Sequence, residues 1–332
     1  MRRAISAGCL AALGVWLAAA VLMAYETVTA PQEPTPEPVI VEPVPSPTAE
    51  TADGTQSVRL STADGVETLA LDDYLTGVVM GEMPASFPQA ALEAQAVAAR
   101  TFTCKQMLGG KHDGADVCAD SGCCQAYLSP ETAAERMGTE YDAIYNKVRT
   151  AVEATDGQVL TYEDALIDAV YFSCSGGVTE DAVAVWGNEV PYLQSVESPG
   201  EEDAPPYEDV VSVERDVFRQ TVEAAGAVLP EDGGQWFGKA VRSSGGGVET
   251  VEIGGVSFTG TEVRSLFNLR STRFSVTVGE ETVDFYTRGY GHRVGLSQYG
   301  AAAMADGGST WQEILQHYYT GVDIVDMETM LP

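Results

Sequence analysis

An α+β fold, with mixed helices and antiparallel strands forming a cleft after an N-terminal transmembrane helix, is what this sequence predicts, and three observations predict it. A hairpin signal opens the folded region, long Ala-rich helical stretches follow, and later strand-like runs alternate with helices without the regular βαβ rhythm of a parallel sheet. At 332 residues and 45% hydrophobic composition, the chain can bury one large core or two moderate ones. No internal repeat is visible.

The N-terminus comes first. Arg2 and Arg3 precede an uncharged stretch over residues 4–25, long enough for a helix of about 20 residues to cross a bilayer core. Basic residues before it and an acidic chain after it put the body outside the cell, with the N-terminus cytoplasmic. The stretch reads as a retained single-pass anchor in the cell membrane, because a cleaved leader has a shorter apolar region and the small-residue site ending at Ala30 is followed by Pro31. Residues 1–25 are therefore a cytoplasmic stub and anchor. Residues 26–56 are a Pro/Glu-rich linker that favours extended polyproline conformation, at about 3.1 Å per residue. Residues 57–332 form the folded region.

Within it, runs at 57–62 and 66–71 flank Asp64-Gly65, a hairpin signal. Asp72 is placed to cap a helix that Pro84 stops, and Ser86 with Gln89 makes a capping box for a second helix running to Gly109-Gly110. The Ala-rich composition of that second helix lets neighbours approach closely, as a buried central helix requires. A further helix is predicted over 140–155, strands over 158–162, 165–172, 273–278 and 282–287, and helical periodicity over 209–226 and 261–271.

The charge balance excludes one large class of partner. With 18 Lys+Arg against 49 Asp+Glu, a formal net charge of -31 repels a phosphate backbone, so nucleic acid is not expected.

Glu82, in GEMP, ends the first helix, where exposed carbonyls and the negative end of the helix dipole disfavour a second negative charge. A carboxyl that resists ionisation is what a general acid needs near neutral pH. The buried helix beside it carries Gln95 and Arg100, polar groups that must find partners or line the cleft; for Arg100 a salt bridge to Glu93 or another carboxylate is the alternative. His112, Cys118, Cys123 and Cys124 fall within thirteen residues, a spacing that suits tetrahedral zinc. Disulfides are the rival outside the cell, but the five cysteines after the anchor cannot all pair. YFSCSGG, at 171–177, is a hydroxyl-rich turn offering Ser173 and Ser175 to a ligand. GYGHRVGLSQYGAAAMA, at 289–305, offers His292, Gln298 and Tyr299. His317 reads as a packing residue.

Together these segments resemble the stage II sporulation protein D family, peptidoglycan lytic transglycosylases that act during engulfment of the forespore. Three blocks between about residues 71 and 320 carry the resemblance: YLTGVVMGEMPASFPQAALEAQAVAARTF, YFSCSGG with Trp186-Gly187 after it, and GYGHRVGLSQYGAAAMA with its trailing HYYTG. The resemblance implies that Glu82 is catalytic and that His112, Cys118 and Cys124 hold one zinc ion, with Cys123 an extra thiol able to replace Cys124. It implies peptide-stripped peptidoglycan glycan strands as substrate, cut at the MurNAc-β-1,4-GlcNAc bond to leave 1,6-anhydro-MurNAc ends. A cell-wall amidase and a membrane scaffold of the engulfment machinery are the implied partners, and the space between mother cell and forespore is the implied location. Two departures concern contacts with sugar: Gly291-His292-Arg293 stands where G-H-G is usual, and Phe172 and Cys174 stand where His and Thr or Ser are common. A zinc-dependent cell-wall amidase or peptidase, and a non-catalytic amidase modifier that binds wall, are the alternative functions. Stripped strands carry lactyl carboxylates, so an acidic protein needs local cations; Arg100, Lys105, Lys111 and Arg293 are the expected ones.

Overall fold

The computed structural model describes residues 56–231 and 235–331, all within one compact unit. The anchor expected over 1–25 and nearly all of the linker expected over 26–56 lie outside the described residues, among which no helix is long and apolar enough to cross a membrane. The body is α+β with mostly antiparallel sheets, as expected.

Strands β1 (Ser57–Thr62) and β2 (Gly65–Ala70) form the expected hairpin, with Thr62 opposite Gly65. Helix α1 (Leu71–Glu82) follows; Asp72 lies in its first turn, and Ala70 occupies the N-cap without a side-chain bond. Met83, before Pro84, is extended, as the residue preceding a proline prefers, and this stops the helix at Glu82. Helix α2 (Gln89–Gly109) starts after Pro88, without the capping box expected from Ser86, and ends at Gly110 in the left-handed region. It is the central helix: Ala91, Ala94, Ala96, Ala98 and Ala99 are fully buried.

Strand β3 (Val117–Cys118) pairs in parallel with β1, and helices α3 (Pro130–Met137) and α4 (Tyr141–Ala154) lead to β4 (Gln158–Tyr162). The strand expected over 165–172 is two short pieces, β5 (Ala165–Leu166) on the edge of β4, and β6 (Tyr171–Phe172) elsewhere. A short helix α5 (Ala182–Trp186) follows.

The helix expected over 209–226 is half strand. β7 (Glu208–Glu214) pairs with a later strand, and only α6 (Arg215–Ala224) is helical, because Val211 and Val213 alternate toward a core rather than following a helical stripe. Then come β8 (Phe237–Arg242), β9 (Val248–Ile253), β10 (Val256–Thr259), α7 (Gly260–Leu266), β11 (Phe274–Val278) and β12 (Thr282–Arg288). These segments make two three-stranded antiparallel sheets, β10-β9-β8 and β11-β12-β7, around their own core of Phe218, Trp236, Ile253, Phe267 and Phe285. This lobe is an insertion. The chain stays with the main body through Ala182, Leu193 and Glu201, leaves it before β7 and returns at Gly289, where Cys174 and Tyr290 exchange backbone hydrogen bonds, and β13 (Leu296–Ser297) pairs in parallel with β6. Helices α8 (Gln298–Asp306) and α9 (Trp311–Tyr318) then pack on α2, and β14 (Asp323–Asp326) closes against β4.

Arg100 turns inward. Fully buried, its guanidinium donates to the carbonyls of Val152 (3.0 Å), Thr155 (2.8 Å) and Gln158 (3.3 Å), so it closes the C-terminal end of α4. Asp72 stands 4.0 Å away, and burial lowers the proton affinity of the guanidinium while that carboxylate raises it. The helix end explains why a cation sits there: its carbonyls would otherwise be buried without donors. Arg100→Ala is therefore expected to destabilise the protein by about 3 kcal/mol, leaving several buried acceptors unpaired, rather than to weaken glycan binding in a folded protein. Urea denaturation beside a glycan-binding assay separates the two; an unchanged midpoint with weakened binding would return Arg100 to the cleft.

Candidate functional site

Glu82 is the last residue of α1, and the small residues before it determine what can reach it. Gly77 and Gly81, one turn apart, form a smooth strip on the helix, against which residues 126–128 lie; a side chain at Gly77 would meet the Leu128 carbonyl at 2.7 Å, and one at Gly81 the Ala126 carbonyl at 3.2 Å. This close approach lets the Ala126 N–H donate to Glu82 Oε1 at 2.6 Å, and the Leu128 N–H to the Gly77 carbonyl at 3.2 Å. The side chains of Tyr171 and Gln298 lie beside the Glu82 carboxyl and favour its ionised form. Its proton affinity is raised: burial is the largest cause, and the Ala126 amide, Tyr171 and Gln298 oppose it. The direction is the one expected from the helix end, but burial produces it. None of the groups that set it is charged.

Around the carboxyl, Gln298 donates to Gln95 at 3.4 Å, and the Tyr171 hydroxyl donates to Gln125 Oε1 at 2.9 Å. Gln125 in turn donates to Thr103 (3.0 Å) and Tyr74 (3.4 Å). Tyr171 has one hydroxyl proton and two candidate acceptors, Gln125 and an ionised Glu82. It can serve the carboxylate when Glu82 is charged and Gln125 when it is not.

The residue that ties this cluster to the next is Gln125, because it directly follows Cys124. His112 Nε2 lies 3.1 Å from Cys124 Sγ and 3.9 Å from Cys123 Sγ, and one ligand atom from each of His112, Cys118, Cys123 and Cys124 lies within 4.8 Å of the others. The loop is held from both ends. Asp116 accepts from the Arg59 guanidinium at 2.6 Å, β3 pairs with β1 to carry Cys118, and the Asp120 carbonyl accepts from the amides of Cys123 and Cys124 in a tight turn. All five described cysteines are free thiols. Three sulfurs and an imidazole so gathered are a donor set suited to zinc, so these four residues could hold that ion.

The other residues expected at the site divide. Gln95, Gln298 and Glu82 come together. Tyr299 lies beside them, its ring edge-on to Phe87 at 5.0 Å and its amide on the Ser173 carbonyl at 3.0 Å. Ser175 is fully buried: its hydroxyl donates to Glu201 Oε2 at 2.7 Å, joined there by the amides of Ser175 and Gly176 at 2.9 and 3.0 Å. Glu201 Oε1 takes the Ser198 hydroxyl at 2.8 Å and the Ser297 hydroxyl, so one buried carboxylate stitches the YFSCSGG turn to the residue before Gln298. His292 lies between Phe172 and Trp186, with Nδ1 accepting from the Val294 amide at 3.1 Å. Burial, then the Arg264 charge, lower its pKa to about 4, while the Tyr171 backbone raises it, so the ring is neutral at pH 7. Of the four expected cations, Arg100 closes a helix end, Arg293 is buried against Glu180 at 3.0 Å, Lys105 pairs with Asp168 at 2.8 Å, and Lys111 donates to the Cys123 carbonyl. Tyr171 and Gln125 are site residues that sequence reasoning missed. Tyr171 opens YFSCSGG and Gln125 directly follows Cys124, and neither residue type at those places signals a role by itself.

These elements define an α+β protein in which polar side chains gather around one half-buried carboxyl, beside a Cys/His cluster. The family description "Stage II sporulation protein" matches residues 60–162, which span Glu82 and the whole Cys/His loop. The chain is 37% identical over 270 residues to stage II sporulation protein D of Bacillus subtilis strain 168, covering 80% of this chain and 77% of that one, and 37% identical over 271 residues to its namesake in Bacillus amyloliquefaciens, covering 80% and 77%. It is also 28% identical over 305 residues to the amidase enhancer of Bacillus subtilis strain 168, covering 75% of this chain and 40% of that protein. The chain belongs to the stage II sporulation protein D family.

Proposed function

We propose that this protein is a lytic transglycosylase of sporulation, cutting the MurNAc-β-1,4-GlcNAc bond of peptide-stripped glycan strands with Glu82 as acid and then base. The observation that carries the reading is the Glu82 carboxyl itself: half-buried, held by the Ala126 amide at 2.6 Å, and kept harder to ionise than an ordinary carboxylate by burial. With Oε1 fixed, the carboxyl presents its proton to the glycosidic oxygen. Once it has given that proton, the Ala126 amide, Tyr171 and Gln298 stabilise the carboxylate, which then takes the proton of the muramyl 6-hydroxyl as that oxygen closes on C1. A second carboxylate is not needed, because the nucleophile belongs to the substrate.

His112, Cys118 and Cys124, with Cys123 beside them, would hold a zinc ion. Bound there, it would tie the loop as a structural clamp if all four residues ligate, or offer a Lewis-acid position if three do. The chain's own part is clearer: the loop ends at Cys124, and Ala126, two residues on, aims its amide at Glu82.

The test is mass spectrometry of purified, peptide-free glycan strands after incubation with the protein. Anhydro-muramyl ends are expected. Free reducing ends or released amines would favour a zinc hydrolase. Intact strands together with stimulation of a cell-wall amidase would favour the modifier reading, which the relative named amidase enhancer keeps in view.

A further inference from the structure

The cations that a carboxylated strand requires are gathered on the inserted lobe, in a groove of about 510 Å³ where the two small sheets meet. Arg242, Arg273 and Arg288 line it with Glu208, Asp209 and Tyr286. Arg288 pairs with Glu208 at 2.9 Å, and Asp209 with Arg270 at 3.1 Å. Arg242 and Arg273 have no carboxylate within 4.0 Å among the described residues. Arg242 donates instead to the carbonyls of Gly246 (2.9 Å) and Phe274 (2.8 Å), and Arg273 to that of Gly176 (2.8 Å). Burial lowers the proton affinity of Arg273, the charges of Arg288 and Arg242 lower it further, and Tyr207 and Glu180 oppose them, so like charges face each other here with some acidic relief. In a chain of net charge -31, three arginines against Glu208 and Asp209 make this groove a local excess of cations, the kind of field that draws an anionic ligand.

We propose that this groove is a subsite for the carboxylates of the glycan strand, with Arg242 and Arg273 gripping a lactyl carboxylate and Tyr286, 45% exposed, lying against the adjoining sugar ring. The inference rests on the glycan reading above. Planar guanidinium forks match carboxylates, and an exposed aromatic ring offers an apolar face to a sugar. The groove also shares a frame with the Glu82 site. Arg273 holds the Gly176 carbonyl, the Gly176 amide sits on Glu201, and Glu201 takes the Ser297 hydroxyl, next to Gln298. The inserted lobe would thus read the anionic character of a strand whose bond is presented to Glu82.

The experiment measures binding of the full chain, in a Glu82→Gln background so that nothing is cut, to peptide-free glycan strands and to neutral chitohexaose. Arg242→Gln is expected to weaken strand binding about tenfold and to flatten its salt dependence, with chitohexaose affinity unchanged. Arg273→Gln should do the same; because it also frees the Gly176 carbonyl, Arg242→Gln decides if it misfolds. Unchanged strand binding overturns the proposal, as does an equal loss on chitohexaose. A loss confined to a poly-glutamate peptide probe, with strands bound as before, also overturns it in favour of an acidic protein partner. Because no cleavage is read, a failure of the transglycosylase reading shows up separately, as parent protein that yields no anhydro ends.

Discussion

Glu82→Gln is expected to lower glycan cleavage by about a thousandfold, the scale of losing a positioned general acid, while the fold and strand binding persist. The amide is nearly isosteric, and its oxygen can still accept from Ala126, so the structural bond at 2.6 Å has a successor. The stability consequence has a definite sign. A carboxyl whose folded-state proton affinity is raised stabilises the folded state below its unfolded pKa, and that contribution is lost as pH rises through the folded value. At pH 8 the Glu82→Gln protein should therefore be at least as resistant to urea as the parent, the difference closing at pH 4. The same carboxyl sets the pH profile: cleavage should fall as pH rises and Glu82 loses its proton. Tyr171→Phe removes a hydroxyl that favours the ionised form, so that alkaline limb should move to higher pH. Retained cleavage by the Glu82→Gln protein would remove Glu82 from the acid role.

The second large effect concerns the Cys/His loop. Cys118→Ser with Cys124→Ser is expected to abolish zinc binding, to lower the thermal midpoint by about 5 °C or more, and to reduce cleavage at least about tenfold. The physical link is short. Cys124 is two residues from the amide that fixes Glu82, and the intervening Gln125 holds Tyr171 at 2.9 Å, so loosening the loop loosens both partners of the carboxyl. Zinc content by mass spectrometry, calorimetry and glycan assay on one preparation read all three. A double variant without zinc that keeps the parent's midpoint and activity would sink both the metal site and the coupling. His112→Ala tests the same loop without removing a thiol and should follow the same course.

Some of this site was legible because its chemistry is local. Glu82 stands where a helix meets Pro84, and the residue before a proline leaves helical geometry whatever surrounds it. His112, Cys118, Cys123 and Cys124 lie in one short loop, where the chain cannot carry them far apart. The Ala-rich helix was readable as central because small side chains on all faces suit only close packing. The lobe of residues 208–288 was much less legible. Its strand over Glu208–Glu214 carries valines at 210, 211 and 213 that satisfy both a helical and an alternating pattern over so few residues, and only pairing with Thr282–Arg288 decides between them.

The sequence by itself determined the acidic character, the helix that ends at Glu82, the loop that gathers His112 and the three cysteines, and the motifs that mark the family. Each depends on neighbours along the chain or on composition. Only the tertiary structure decided which polar groups gather around Glu82 and which serve the fold. Arg100 caps a helix reached across 55 residues, His292 is neutral between two aromatic rings, and Gln298 meets Gln95 across 203 residues. Burial and hydrogen-bond partners assign these roles, and both are properties of distant segments brought together, to which no local pattern is sensitive.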